Sequence, residues 1–106
     1  MASEWKGERF YEYAGQRGWD YDNSWRYKGR AFRTYFQHMT FTETEAYEVR
    51  MMCEGANPGE TYVLYYRDSE SIEIWSGQVE SPQDFEHMMQ RISEYIEQYQ
   101  KGNPSR

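Results

Sequence analysis

The sequence predicts a single α+β domain over residues 1–106, in which one antiparallel β-sheet of three to five strands is packed by a long C-terminal α-helix, with a short helix at the N-terminus. Three observations predict this fold. The middle of the chain is rich in β-forming side chains that alternate with a period of two, and the last quarter has apolar residues at helical spacing. A length of 106 residues suits one core. We expect residues 1–2 and 103–106 to be frayed ends.

The first helix is predicted close to the N-terminus. Ser3 followed by Glu4 can cap its start, and Gly15 and Gly18 can end it. Apolar residues recur there at a spacing that places them on one side of a helix. They are Trp5, Phe10, Tyr13 and Ala14.

Strand-like sequence runs from Trp19 to Cys53, where Tyr, Phe, Trp, Thr and Val are frequent. Lys28-Gly29 interrupts this run and can form a hairpin turn or a bulge, because the apolar alternation changes parity there. If one strand continued through this point, Arg26, Lys28 and Arg30 would point to one side, and Trp25 and Tyr27 to the other.

Residues 43–54 admit two interpretations. The apolar side chains of Tyr47, Val49, Met51 and Cys53 alternate, which favours a strand. A helix competes, because residues 42–45 fit a capping box and Gly55 could end it. We favour the strand.

Two further strands are predicted before the last helix. The segments are TYVLYYR and SIEIWSG, separated by the tight turn DSES and preceded by the turn EGANPGE. In the first strand, Tyr62, Leu64 and Tyr66 should face one side, and Val63 and Tyr65 the other.

The C-terminal helix has the clearest signals. Ser81 is suited to the N-cap, Pro82 to the first helical position and Asp84 to the first turn, whereas Gly102 and Pro104 close the helix. Apolar residues repeat at helical spacing: Phe85, Met88, Met89, Ile92, Ile96 and Tyr99. The predicted core comprises Phe85, Met89, Ile92, Ile96, Leu64, Ile72, Ile74 and Val49.

The apolar inventory is unusual. Leu, Ile, Val and Phe together make up only 13 of 106 residues, whereas the chain contains 11 Tyr and 4 Trp. Tyr and Trp bury large areas but require a partner for their polar group. A core of this size cannot absorb them all, so several should be half exposed, as they are on binding surfaces.

The charge is unevenly distributed. The formal net charge is −6, yet residues 23–42 contain four basic residues and no acidic residue. Residues 43–106 contain 13 acidic and 5 basic residues. An acidic molecule is repelled by nucleic acid and attracted by basic surfaces.

No catalytic or metal-binding pattern is evident. Asp20, Asp22 and Ser24 match the first positions of a calcium loop, but the required glycine and bidentate glutamate are replaced by Trp25 and Ala31. The soft metal ligands, His38, His87 and Cys53, are not at ligand-pair spacing. We therefore expect no cofactor, no metal and no enzymatic activity, and we interpret Cys53 as a buried apolar residue.

The leading functional hypothesis is a non-catalytic, acidic protein-binding module. Glu73, Glu86, Glu94 and Glu97 are predicted to form an acidic face that binds another protein with a basic surface. Such a module could be an inhibitor that occupies the nucleic-acid-binding surface of its partner, as phage anti-defence proteins do.

A single cysteine and an N-terminus without an apolar signal core suggest the cytoplasm, with no membrane association. Homo-oligomerisation stays open.

Two alternatives remain. The first is a nucleic-acid-binding domain that uses segment 25–36, in which cations and rings are interleaved. Its candidate contacts are Arg26, Lys28, Arg30, Arg33, Trp25 and Tyr27. Strand alternation argues against it, since it separates the cations from the rings. The second alternative is a small enzyme or ligand-binding domain with an aromatic pocket.

Overall fold

The computed structural model describes residues 8–22, 25–53 and 59–102. The elements, in chain order, are α1 (Glu8–Gln16), β1 (Asp20–Tyr21), β2 (Trp25–Tyr27), β3 (Arg30–Thr40), β4 (Ala46–Cys53), β5 (Glu60–Arg67), β6 (Glu70–Gln78) and α2 (Pro82–Gly102). The predicted α+β class is confirmed. Four of the strands have eight or more residues, and the very short β1 and β2 bring the described total to six.

The strands form one antiparallel sheet in the order β1-β3-β4-β5-β6, and β2 also pairs with β3. Two-residue turns connect β2 to β3 and β5 to β6. Lys28 and Gly29 have φ values of 54° and 77°, and Asp68 and Ser69 have φ values of 54° and 67°. Two consecutive positive φ values are typical of a type I′ hairpin turn, whose twist matches that of the flanking strands.

The strand interpretation of residues 43–54 is confirmed for Ala46–Cys53. This segment is central and pairs with β3 on one side and β5 on the other, so its backbone groups are satisfied in the sheet. The residues that resemble a capping box form a turn instead. Thr42 Oγ1 donates to Glu45 Oε1 at 3.3 Å, and the Phe41 and Thr42 amides both donate to the Glu45 carbonyl oxygen.

The end of α1 and the start of α2 lie where the sequence predicts them. Gly18 has a φ of 95°, its amide donates to the Gly15 carbonyl, and the Trp19 amide donates to the Ala14 carbonyl. These bonds form a Schellman motif at the end of α1. At the start of α2, the Asp84 amide donates to Ser81 Oγ at 3.1 Å. The predictions for residues 1–7, for Ser24, for most of the turn at 54–60 and for residues 103–106 lie outside the described residues.

Both helices pack on one side of the sheet, here called the helix face. Phe10 and Ala14 of α1 and Phe85, Met88 and Ile92 of α2 are buried against sheet residues. The sheet contributes Tyr35, Val49, Met51, Cys53, Val63 and Tyr65. Of the predicted core, Phe85, Ile92 and Val49 are buried here, whereas Met89, Ile96, Ile72 and Ile74 are partly buried at its margin.

The opposite side of the sheet, here called the far face, has a second apolar cluster. Phe32, Met52 and Leu64 are at most 2% exposed and are surrounded by Tyr27, Tyr62 and Tyr66. The predicted facing of Tyr62, Leu64 and Tyr66 is thus confirmed. Leu64 is buried as predicted, but it belongs to this second cluster and not to the core under α2, because β5 alternation directs it away from the helices. Among the described residues, no helix combines the length and the apolar character needed to cross a bilayer.

Candidate interaction surfaces

Glu86, a predicted partner-binding residue, connects the two helices. It accepts hydrogen bonds from Tyr13 Oη at 2.5 Å and from Arg17 Nε and Nη2, both at 2.8 Å. The fork-shaped guanidinium therefore binds both carboxylate oxygens, and such bidentate geometry fixes position as well as charge. Glu86 is already engaged within the protein.

The same contacts lower the pKa of the Glu86 carboxyl. The hydrogen bond from Tyr13 is the largest cause, and the bond and charge of Arg17 act in the same direction against partial desolvation. A carboxyl whose folded pKa is lowered contributes stability above its unfolded pKa of about 4.3, and this contribution is lost as the pH falls through the folded value.

We therefore expect the stability of the Glu86→Gln variant to depend less on pH than that of the wild-type protein between about pH 2 and pH 5. Urea unfolding followed by circular dichroism at several pH values would measure this dependence. Glu97→Gln makes the same charge change at an exposed position of the same helix and is the control. Equal pH dependence in the Glu86 and Glu97 variants would contradict the role assigned to the Glu86 contacts.

The other predicted acidic residues are not brought together with Glu86 as one free acidic face. Glu94 lies on the same outer side of α2 but accepts a hydrogen bond from Arg91 Nη1 at 2.9 Å. Glu97 is exposed on that side. Glu73 is on β6, accepts a hydrogen bond from Tyr27 Oη at 2.9 Å, and lies 3.7 Å from Lys28 Nζ. Glu73 therefore lies on the far face, apart from the α2 residues with which it was grouped, because the β5–β6 register directs it there.

The basic segment 25–36 is a hairpin, which corrects the predicted separation of cations and rings. Arg26 pairs with Ala31, whereas Tyr27 pairs with Arg30. Directly opposed residues lie on the same side of a sheet, so Arg30 shares the side of Tyr27, opposite to Arg26. The error arose because the Lys28-Gly29 turn resets the parity that a continuous strand would keep. The backbone of Trp25 pairs with that of Phe32, but its side chain lies outside the described part of the structure.

Cations and rings therefore meet on the far face. Lys28 Nζ is 5.5 Å from the ring centroid of Tyr27 and 5.4 Å from that of Tyr62, and the Arg30 guanidinium carbon is 4.9 Å from that of Phe32. These distances are typical of cation–π contacts. The same cations are close to carboxylates, since Arg30 Nη1 lies 3.2 Å from Glu60 Oε1 and Lys28 lies near Glu73. Phe32 is only 2% exposed and Tyr27 and Tyr62 are half-buried, which limits the ring surface on which a nucleic-acid base could stack.

A different aromatic group is exposed. Tyr11 of α1 is 48% exposed and Tyr21 of β1 is 44% exposed, and they are the exposed large apolar side chains of the described residues. Their ring centroids are 5.9 Å apart with an interplanar angle of 78°, an edge-to-face contact. We call these two residues the tyrosine pair.

The tyrosine pair rests on a buried support. Tyr35 is 2% exposed, and its ring centroid lies 6.1 Å from that of Tyr11 and 5.6 Å from that of Tyr21. Burial raises the pKa of the Tyr35 hydroxyl to about 12. On the other side, the guanidinium carbon of Arg33 lies 5.7 Å from the Tyr21 ring centroid. Arg33 is therefore placed on the helix face, apart from Arg30. The tyrosine pair is thus held from two sides.

The sequence predicts half-exposed tyrosines but not which ones. Tyr11 is missed because the predicted α1 stripe contains Phe10 and Tyr13 and leaves Tyr11 outside it. Tyr21 is missed because β1 has only two residues, too few to show alternation. The one sequence signal for the exposure of Tyr11 is that it lies between the apolar stripe positions of a short amphipathic helix.

Two residues considered above for chemistry, Cys53 and Asp22, are buried or engaged within the protein. Cys53 is 1% exposed, and burial raises the pKa of its thiol to about 12, so the reactive thiolate is suppressed at neutral pH. Asp22, considered above as a calcium ligand, accepts a hydrogen bond from Arg50 Nη1 at 2.9 Å. In the part of the chain that the structure describes, no group of three or more His, Cys, Asp or Glu side chains is arranged to hold a metal ion.

Comparison with protein-family models, with curated proteins and with solved structures finds no match to this chain.

Proposed function

We propose that this protein is a non-catalytic protein-binding module whose contact surface is centred on the tyrosine pair. One observation carries the proposal: the two exposed large apolar side chains of the described residues are adjacent and packed edge to face. Isolated exposed apolar residues are ordinary on protein surfaces, whereas grouped ones mark contact sites.

Tyrosine is well suited to such a contact. It has few rotatable bonds, so fixing it costs little conformational entropy, and it offers both a large apolar ring and a polar hydroxyl. Here the ring packing on Tyr35 fixes the pair before any partner arrives. Binding surfaces that are fixed beforehand lose less free energy to ordering.

The proposed partner is a protein with a basic surface. Glu12 follows Tyr11 and Asp20 precedes Tyr21, and both acidic residues are exposed. With a net charge of −6, the molecule is attracted over a distance to a positive surface. Occupying the nucleic-acid-binding surface of that partner, as an inhibitor of the phage anti-defence type would, is the biological use that we propose for this complementarity.

Affinity capture from the source organism, read by mass spectrometry, would identify the partner and also compare variants. Tyr11→Ala combined with Tyr21→Ala is expected to reduce partner affinity at least tenfold, because truncation of hot-spot tyrosines costs about 2 kcal/mol or more. The matched comparison is Glu94→Lys combined with Glu97→Lys. This pair reverses charge on the outer side of α2 but does not disturb Glu86. Because it also makes the net charge less negative, it is expected to slow association, but to reduce partner affinity less than the loss of the tyrosine pair.

Two outcomes would contradict the proposal. Equal capture by the wild-type protein and by a folded tyrosine-pair variant would exclude the tyrosine pair as the contact. Loss of capture only in the Glu94 and Glu97 variant would show that the partner contacts the outer side of α2 instead. A labelled oligonucleotide bound at low salt, with loss of binding in Lys28→Ala, would favour the nucleic-acid alternative instead.

A further inference from the structure

A cleft lies between β5, β6 and the last turns of α2, away from the tyrosine pair. Its volume is about 390 Å³, within the range of small-ligand sites. Its lining includes Tyr65, Arg67, Ile72, Tyr95, Gln98 and Tyr99. Most of the lining is apolar ring and aliphatic surface, and one cationic side chain is present.

The tyrosine hydroxyls of the cleft are not all engaged in the same way. Tyr99 Oη donates its hydrogen to Glu45 Oε1 at 3.1 Å. Tyr47 Oη lies 3.4 Å from Tyr99 Oη and is therefore the donor in the bond between these two hydroxyls. The hydroxyl hydrogens of Tyr47 and Tyr99 are thus both used. Tyr65 Oη and Tyr95 Oη lie 3.1 Å apart, and either can donate to the other. Because each hydroxyl has one hydrogen, their mutual bond leaves one hydrogen to donate to a further acceptor.

Arg67 supplies the charge. Its guanidinium carbon lies 5.8 Å from the Tyr99 ring centroid, which holds it at the cleft. Asp68 Oδ2 lies 3.9 Å from Arg67 Nε, but the Asp68 side chain is 91% exposed, so water screens this ion pair strongly. The Arg67 charge is therefore only weakly compensated by Asp68.

From this geometry we propose that the cleft binds a small organic carboxylate with a flat apolar body. Arg67 would pair with the carboxylate, for which a guanidinium is well matched. The remaining hydroxyl hydrogen of Tyr65 and Tyr95 would donate to a carboxylate oxygen. The body would pack on the tyrosine rings and Ile72. This site is independent of the tyrosine pair and of any protein partner bound there.

Titration with benzoate, followed by two-dimensional NMR of the protein, tests the proposal. We expect saturable shifts at Arg67, Tyr95 and Tyr99, with a Kd on the order of 1 mM for so small a ligand. Benzyl alcohol has a similar body without the charge and is expected to give no saturable shift over the same concentrations. Arg67→Ala should weaken benzoate binding at least tenfold.

A pair of charge-matched variants completes the experiment. Gln98→Glu adds a negative charge at the cleft, whereas Gln100→Glu adds it at an exposed position of α2 that does not line the cleft. Gln98→Glu should weaken benzoate binding about threefold or more at low salt, and Gln100→Glu should leave it unchanged. The comparison of these two glutamine variants tests the proposal even if Arg67→Ala does not fold. The absence of saturable shifts, equal binding of benzyl alcohol, or equal effects of the two glutamine variants would overturn the proposal.

Discussion

Replacing Phe85 by Ala is expected to lower the free energy of unfolding by about 3–5 kcal/mol. Phe85 is 0% exposed and lies where both helices meet the sheet. Its ring centroid is 5.6 Å from that of Phe10 and 5.1 Å from that of Tyr13, both in edge-to-face contacts. Truncation therefore opens a cavity and removes two aromatic contacts between α2 and α1. A loss of this size is a large fraction of the 5–15 kcal/mol typical of domains.

Urea unfolding followed by circular dichroism would measure the loss, with Phe85→Leu as the milder control that keeps most of the volume. Hydrogen exchange gives a more specific readout. Because Phe85 connects α2 to α1, the amides of α1 should lose more protection than those of β4. A change in the free energy of unfolding below about 1 kcal/mol would show that Phe85 does not connect the helices as described.

The parts of this fold that follow from the sequence are those governed by local rules. Ser81, Asp84 and the helical repeat define α2, and its start lies one residue after Ser81. Gly18 ends the region of α1 through a left-handed conformation that glycine adopts without strain. In the sheet, the alternation in β5 correctly assigns Leu64 and Tyr65 to opposite faces. These features can be predicted from residue type and spacing alone.

What could not be predicted concerns the pairing of strands, because the residues of one strand do not determine its register with the next. Glu73 could be placed only once the β5–β6 register was known, since Leu64 pairs with Glu73 across an irregularity in β6. The close approach at Gly77 is local, because its partner Trp75 lies two residues earlier in β6. A Cβ atom at Gly77 would lie 2.5 Å from Cζ2 of Trp75, so the glycine leaves room for the indole ring.

The candidate surfaces show the same division. The expectation of half-exposed tyrosines follows from composition, because there are too many for a small core. Which tyrosines remain exposed depends on where α1 crosses the sheet edge at β1. This position is set by tertiary packing and is not visible in the local sequence. Glu86 and Glu94 lie on the outer side of α2, and their pairing with Arg17 and Arg91 cannot be derived from charge counts.

The second large effect is expected at a buried charge on the far face. Arg50 is 4% exposed, and its guanidinium carbon lies 5.4 Å from the Phe36 ring centroid. Its Nη1 donates to Asp22 at 2.9 Å, and its Nη2 donates to Glu48. A guanidinium stays protonated at any ordinary pH, so Arg50 cannot escape burial by losing its charge. The carboxylates of Asp22 and Glu48 therefore stabilise a charge that would otherwise be costly to bury.

Asp22→Asn combined with Glu48→Gln is expected to destabilise the protein by about 3 kcal/mol, at the lower end for broken buried ion pairs because the amide oxygens still accept hydrogen bonds. Adding Arg50→Met to this double variant should recover much of the loss, since methionine is apolar and similar in length. Glu94→Gln, which breaks the exposed pair with Arg91, should cost less than about 1 kcal/mol.

Urea unfolding of the four proteins would compare these values. If the double variant were as stable as Glu94→Gln, or if Arg50→Met lowered its stability further, the charge on Arg50 would not be the source of the cost. Recovery in the triple variant would instead show that the acidic residues around Arg50 compensate one buried charge. It would also explain in part why an acidic surplus in this chain need not mean an acidic binding surface, because two of its carboxylates compensate the buried charge of Arg50.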